Sequence, residues 1–469
     1  MEIIDNDNIK GSRMHIELPD KVRLIINKLT DEGFEAYAVG GCVRDCLLGK
    51  EPNDWDITTS ATPIQVKSLF RRTIDTGIQH GTVTIMLGND GFEVTTYRID
   101  GAYEDSRHPK QVTFTASLEE DLKRRDFTIN AMAYNDEKGI VDLFDGLSDI
   151  KRKKIRAVGE PVDRFNEDAL RILRAVRFAA QLDYEIDEKT LKAVEELAPN
   201  LSKISAERIR MELQKLLMSK HPEKLLTLYE TGVTGVILPE FDLMMETSQN
   251  TPHHMYSVGI HTIEALKNSV RFDENLSEND IKIIRLTMLL HDSGKPAAKT
   301  TDEDGREHFK GHSAFSEGIA SEVMHRLKYD NDTLNKVKRL VRYHDHRKKL
   351  TEARVRQTIV LISKELMPLW FIVRRCDICA QSLMYREEKL KDIDECEEIY
   401  NRIIKRGDCL SIKELALTGS DLMELGIKPG PKLGDILNRL FDEVLDVPEH
   451  NTKEYLTGRV INIYKEEFS

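Results

Sequence analysis

The residues of the first third best suited to chemistry are Gly40-Gly41-x-x-Arg44-Asp45 and, shortly after, Asp54-Trp55-Asp56. In an extended chain alternate residues face the same side, so Asp54 and Asp56 stand together and Trp55 turns away. Two carboxylates facing one way repel each other unless a cation sits between them. A hard divalent ion such as Mg2+, held by carboxylate and phosphate oxygens, suits that pair. Two glycines ahead of a short helix let backbone N–H groups approach a phosphate at the helix N-terminus. Together these features describe a metal-assisted nucleotidyl-transfer site.

A second set lies further on. Nine of the fourteen histidines fall between residues 253 and 346. LTMLLHDSGK places His291-Asp292 at the end of an apolar helix, and His261, His312, His344 and Asp377 come from separate helical stretches. Adjacent His and Asp at a helix end, joined by His and Asp from other helices, form a sound site for one or two divalent transition-metal ions in a bundle. His253, His254, His308, His325 and His346 read as surface or internally satisfied histidines.

The elements that must position these residues fall into two regimes. VRLIINKLTDEGF (22–34), CVRDCLLG (42–49) and TPIQVKSLF (62–70) have helical character. AYAVGG (36–41), WDITTS (55–60), TVTIML (82–87) and FEVTTYRI (92–99) read as strands. From about residue 164 onward the apolar spacing is helical almost throughout. The expected fold class is α+β: a mixed-sheet head over 1–150, then an all-α neck over 151–225, a helical domain over 226–395 and a helical tail over 396–469.

The 469 residues carry a net charge of −12, which argues against nonspecific coating of nucleic acid. Residues 151–177 depart from that balance, with nine Lys/Arg against four acids, a local +5 that suits a phosphate-binding surface or a solvated helix face. Six cysteines make no disulfide framework, and Cys376-x-x-Cys379 lacks a partner pair for zinc. No apolar run is long enough to span a bilayer, and the start MEIIDNDNIK lacks a secretory h-region. A cytoplasmic protein with reduced thiols is expected.

AYAVGGCVRDCLLGKEPNDWDITTSATP closely resembles the signature of class II nucleotidyltransferases, the tRNA CCA-adding enzymes and bacterial poly(A) polymerases. Later blocks agree in order. QHGTVTI (79–85) and FEVTTYR (92–98) resemble later strands of that catalytic domain, which is related to the polymerase-beta nucleotidyltransferases. RIDGAYEDSRHPKQVTF (98–114) resembles its flexible loop and DLKRRDFTINAMAYN (121–135) its nucleotide-binding segment. The stretch 145–182 resembles the neck, with Glu-Asp-x-x-Arg at Glu167 to Arg171. The resemblance implies Mg2+ on Asp54 and Asp56, and nucleotide contacts from Gly41, Arg44 and Arg125. Glu93 is a candidate third carboxylate or a salt-bridged strand acid. The resemblance further implies that Asp168 and Arg171 template the incoming base: a carboxylate accepts from the exocyclic amine of C or A, and arginine donates to the neighbouring ring position. Steps of three place Asp168, Arg171 and Arg174 on one helical face and turn Arg177 away, toward phosphate.

Residues 255–380 resemble the HD phosphohydrolases. His261, His291, Asp292 and Asp377 match their core ligands, and His312 and His344 the extra ligands of two-metal members. The terminal LTGSDLMELGIKPGPKLGDILNRLFDEVLD (417–446) resembles the RNA-binding tail of CCA-adding enzymes.

The implied function is addition of C, C and A to the tRNA 3′ end from CTP and ATP. The flexible-loop block favours complete CCA addition or A addition over CC addition. A poly(A) polymerase is the nearest rival. Its basic extension and Gly-Arg-Arg-Phe type element are absent, the corresponding stretch reading FRRTIDTGIQHGTV. From another class, the HD domain could be the main catalyst, a metal phosphohydrolase acting on RNA ends or nucleotides. The sequence gives no reading of oligomeric state.

Overall fold

A computed structural model describes residues 15–100, 112–250, 256–346 and 350–468. Most of the expected flexible loop, and both His253 and His254, lie outside these residues. The chain divides into two compact units, 1–239 and 240–469. The expected boundaries at 150 and 395 fall inside these units, and the one at 225 falls fourteen residues short of the division.

Unit 1 is built on a seven-stranded sheet. The helix Asp20–Asp31 (α1) leads to the strand Ala36–Val39 (β1), the short helix Gly41–Leu47 (α2) and the strand Ile57–Thr59 (β2). The helix Pro63–Leu69 (α3) and strands Thr73–Gly77 (β3), Thr82–Leu87 (β4) and Asp90–Thr96 (β5) follow. The order is β3-β4-β5-β2-β1, then Met132–Asn135 and Gly139–Asp142. β2 and β5 run parallel, and the other neighbours are antiparallel, so the sheet is mixed as expected. β1 shows why this sheet is covered on both faces. Its residues alternate, Ala36 and Ala38 packing with Val22, Ile25, Leu29 and Ile57, and Tyr37 and Val39 packing with Tyr97, Leu122 and Ala133. α3 begins where its sequence specifies: Thr62 and Gln65 form a capping box with Pro63 in the first turn.

After the sheet, the helices Pro161–Glu167 and Leu170–Leu182 are separated by a break at Asp168–Ala169. Asp168 therefore does not share a helical face with Arg171 and Arg174, contrary to the spacing argument. Its backbone is extended (φ −138°, ψ 102°). One carboxylate oxygen accepts from Leu170 N–H at 3.0 Å. A short acidic side chain that can satisfy a free N–H at a helix start favours such a break over helix continuation.

Among its described residues, unit 2 is helical apart from a two-residue strand pair, Thr300–Thr301 with Glu307–His308. Its helices start where capping side chains stand: Ser257 accepts from Ile260 N–H, Ser277 from Asp280 N–H, Asp330 from Thr333 N–H and Thr351 from Arg354 N–H. A separate apolar cluster, including Leu417, Leu422, Leu440, Val444 and Leu456, closes the end of the chain.

Gly294 fixes how closely the elements around His291-Asp292 approach one another. A Cβ there would lie 2.3 Å from Ser316 N and 2.4 Å from His312 O, both backbone atoms that cannot swing aside. Gly294→Ala should destabilise unit 2 by about 1–3 kcal/mol through overpacking. Thermal unfolding would show a lowered transition, and an unchanged transition would mean that the helix His312–Arg326 yields freely.

Candidate active sites

The head site is assembled at the end of β1. Val39 N–H donates to Asp56 O at 3.0 Å, so Asp54-Trp55-Asp56 is pinned beside the Gly40-Gly41 turn. The regular strand begins only at Ile57, later than the expected 55–60, but the alternation survives. Asp54 and Asp56 are exposed, and Trp55 packs against the core. Asp56 has protein on most sides despite its exposed area. That desolvation raises its carboxyl pKa; Arg125 opposes the shift and Asp54 adds to it. Ile57 pairs with Val94, so the same parallel register sets Glu93 alongside Asp56.

Gly40 has φ +85°, a conformation that suits glycine. A Cβ on it would stand 3.1 Å from Arg125 Nη1. Arg125 Nη2 donates to buried Asp121 at 3.4 Å, and its Nε is buried with no hydrogen-bond partner among the described residues. Arg44 Nη1 donates to Asn130 Oδ1 at 2.6 Å, and Nε donates to Asp45 at 2.9 Å.

The neck arginines divide their partners. Arg174 donates to Asp126 Oδ2 at 2.8 and 2.5 Å, and Asn130 Nδ2 donates to the other oxygen at 3.2 Å. Burial alone would raise the Asp126 carboxyl; Arg174 and Arg171 outweigh it and hold the group well below the usual carboxylate range. Arg171 Nη1 donates to Glu167 at 2.8 Å and Nη2 to Arg124 O at 2.7 Å. Asp168 Oδ2 accepts from Arg208 at 2.8 Å. Arg177 faces inward, not outward: it is 6% exposed, pairs with Glu212 at 2.5 Å and lies 3.7 Å over the Phe178 ring. The guanidiniums of Arg44 and Arg174 flank the same ring at 5.1 and 5.4 Å. The structure thus brings Gly41, Arg44, Asp56, Arg125 and Arg174 into one connected neighbourhood. Asp126, Asn130, Phe178, Arg208 and Glu212 complete it, and no local pattern in the sequence singled them out.

In unit 2 the six expected ligands converge. Asp292 is central and buried. Oδ2 lies 3.5 Å from His261 Nε2 and 3.3 Å from His291 Nε2. Oδ1 lies 3.3 Å from His312 Nε2 and 3.4 Å from His344 Nε2. Asp377 Oδ1 is 3.0 Å from His261 Nε2, and Lys295 Nζ is 2.7 Å from Asp292 Oδ2. The tautomers follow from the other ring nitrogens. Nδ1 of His261, His291, His312 and His344 faces the carbonyls of Ala380, Met288, Phe309 and Val341 at 3.3, 2.8, 2.9 and 2.7 Å. Carbonyls only accept, so each Nδ1 carries the proton, and a neutral ring then presents a bare Nε2. Bare Nε2 atoms face each other at 3.2 Å (His261–His291) and 3.3 Å (His312–His344). This donor set fits two cations sharing the Asp292 carboxylate, each His oriented by a backbone carbonyl as metal-bound histidines are. Of the remaining histidines, His308 is exposed and paired with Asp302, and His325 is exposed.

Comparison with known proteins fits the head and the helical body together. The family described as Poly A polymerase head domain matches residues 36–156. "Probable RNA and SrmB- binding site of polymerase A" matches 183–245, and "tRNA nucleotidyltransferase domain 2 putative" matches 313–460. The chain is 36% identical to a CCA-adding enzyme of Pediococcus pentosaceus over 96% of its own length and 99% of that protein's. The chain belongs to the CCA-adding enzymes. A second relative of that name, from Levilactobacillus brevis, is 34% identical over 94% of this chain and 97% of its own. Among solved structures, the Bacillus stearothermophilus CCA-adding enzyme in complex with CTP superposes with a TM-score of 0.67, at 28% identity, covering 94% of this chain and 97% of its own. No helix of the described residues is long and apolar enough to cross a membrane.

The histidine cluster is testable without any activity. Protein purified without chelator should contain close to stoichiometric transition metal by elemental analysis, and His291→Ala with Asp292→Ala should lose it. Equal metal in both proteins would remove these residues as ligands.

Proposed function

We propose that the head of this CCA-adding enzyme performs its nucleotidyl transfer with Asp54 and Asp56 as ligands of Mg2+, and that Glu93 is a third carboxylate of the site. The carrying observation is geometric: the Val39 N–H bond to Asp56 O holds Asp54-Trp55-Asp56 beside the glycine turn, and the strand register sets Glu93 alongside Asp56. Divalent metal, when bound, lowers the pKa of an attacking hydroxyl and stabilises charge on the departing pyrophosphate. The chain's own residues do the rest. The Gly40-Gly41 turn offers close backbone approach to a nucleoside triphosphate. Arg44 and Arg125 supply fixed positive charge for its phosphates. The tRNA 3′-hydroxyl then displaces pyrophosphate from the α-phosphate of CTP or ATP, in the cytoplasm. The 98–114 block favours full C, C and A addition, or A addition, over CC addition. Asp54→Ala with Asp56→Ala should abolish C and A incorporation on tRNA ending at the discriminator base, −C or −CC, and tRNA binding should survive. Incorporation retained by that variant, read on a sequencing gel, would overturn the assignment.

Base choice is assigned to Asp168 and Arg171. Selection by hydrogen bonds to the base edge rejects U and G because each leaves polar groups unpaired. A good bidentate pair discriminates by roughly 1–3 kcal/mol, so Asp168→Ala should raise U and G misincorporation relative to C and A by about one to two powers of ten. A slower variant with unchanged base ratios would make Asp168 a partner of Arg208 and nothing more.

A second activity is favoured by the four inward-facing Nε2 atoms around Asp292. They suit nickel, manganese, iron or zinc, and a phosphohydrolase acting on RNA ends or nucleotides is the reading that fits.

A further inference from the structure

The helix Asn331–Tyr343 in unit 2 is sharply two-faced. Leu334, Val337, Leu340 and Val341 are buried. Lys336, Lys338, Arg339 and Arg342 line the wall of a groove of about 760 Å³, whose other side is the end of the helix Glu352–Ile362 and the turn that follows, with Leu361, Ser363, Glu365 and Leu366. Glu317 and Glu365 are its two acids, leaving it positive within a chain of net charge −12. Two of the four cations have partners: Lys336 pairs with Asp332 at 2.6 Å and Arg342 lies 3.7 Å from Glu317. Lys338 and Arg339 have no ion-pair partner within 4.0 Å among the described residues, and Arg339 is exposed. Arg339 adds to the field that lowers Glu365, and with Lys338 without an ion pair the groove keeps an excess of positive charge, which suits an anion from outside.

The turn opposite is itself unusual. Ser363 has φ +84°, ψ 148°, a region that residues with a side chain rarely occupy. Such strain collects where surrounding structure fixes a binding surface.

The spread of charge selects the class of anion. Lys338 and Arg342, one helical turn apart, succeed each other along the axis by about 6 Å. A compact nucleotide calls for cations converging on one point, whereas a row along a helix follows an extended polyanion. The same helix ends by delivering His344 to the histidine cluster, so a strand in the groove runs along an element of that site.

We propose that this groove binds the phosphodiester backbone of the tRNA substrate, with Lys338 and Arg339 as its principal phosphate contacts. The inference rests on tRNA being the substrate of the head. The test uses the full chain carrying Lys338→Ala with Arg339→Ala, and filter binding of tRNA ending at −C, without nucleotide, between 50 and 200 mM salt. Loss of two phosphate contacts should make the slope of log K against log salt shallower by about 1.4–1.8. Binding at 50 mM should weaken, KM for tRNA should rise, and kcat for C addition at saturating tRNA should stay. The charge-conserving pair Lys338→Arg with Arg339→Lys should keep the original slope. Unchanged slope and KM in the alanine variant would overturn the proposal. So would a loss of tripolyphosphate affinity with no change in tRNA binding, which would make the groove a site for a compact anion. Because binding is read without nucleotide, wild-type protein that binds tRNA but adds no C would sink the transferase reading separately.

Discussion

Asp126 is the constraint on which the arrangement of unit 1 depends. Its buried carboxylate takes two N–H groups from Arg174, the backbone N–H of Phe127 at 2.8 Å and the amide of Asn130. Asn130 in turn accepts from Arg44, so one acid ties the neck helix to the arginine beside the glycine turn. Removing one partner of such a pair strands a buried charge, at a cost of roughly 3–5 kcal/mol. Phe178 completes the junction: three guanidiniums lie against one ring, with Asp126 facing Arg174, Asn130 facing Arg44 and Glu212 facing Arg177. The helix Leu170–Leu182 cannot rotate or slide without breaking several of these contacts together.

Unit 2 also buries a carboxylate, and the Lys295 Nζ lies 2.7 Å from Asp292 Oδ2. The four Nδ1–H groups are already committed to backbone carbonyls, so the facing Nε2 pairs cannot satisfy each other as neutral rings. A cation between each pair would satisfy those bare Nε2 atoms, and Gly294 is the backbone feature that lets the His312 helix come close to Asp292.

The parts legible in the sequence were those set by local rules. Alternation fixed the facing of Asp54, Trp55 and Asp56, turn chemistry fixed Gly40, and the His-Asp pair marked the end of the helix Glu278–Leu290. Among the strands not legible in the sequence, two show opposite reasons. Thr73–Gly77 is an exposed edge with no apolar alternation, and Met132–Asn135 is wholly buried, its Asn135 amide satisfied by Ala36 O. Asp168 was misplaced because helical spacing continues through it, while its side chain prefers to cap. Arg208–Asp168, Arg174–Asp126 and Arg177–Glu212 join residues 35 to 48 positions apart, and no spacing rule within one element reaches that far.

Those distant partners bear on how the proposed template could work. A carboxylate offers about four lone-pair sites, and Asp168 spends one on Leu170 N–H and one on Arg208, so capacity remains to accept an exocyclic amine. Arg171 commits Nη1 to Glu167 and Arg164 O, and one Nη2–H to Arg124 O, which leaves Nε–H and the second Nη2–H. The neighbours therefore hold the two side chains without exhausting them. The break before Leu170 adds the last element. A residue one step along a regular helix is confined to that helix's face, whereas an extended Asp168 is oriented by Arg208 from a different helix. Its direction is then set by unit 1's packing and not by helical pitch, which is what a fixed reading edge for a small base requires.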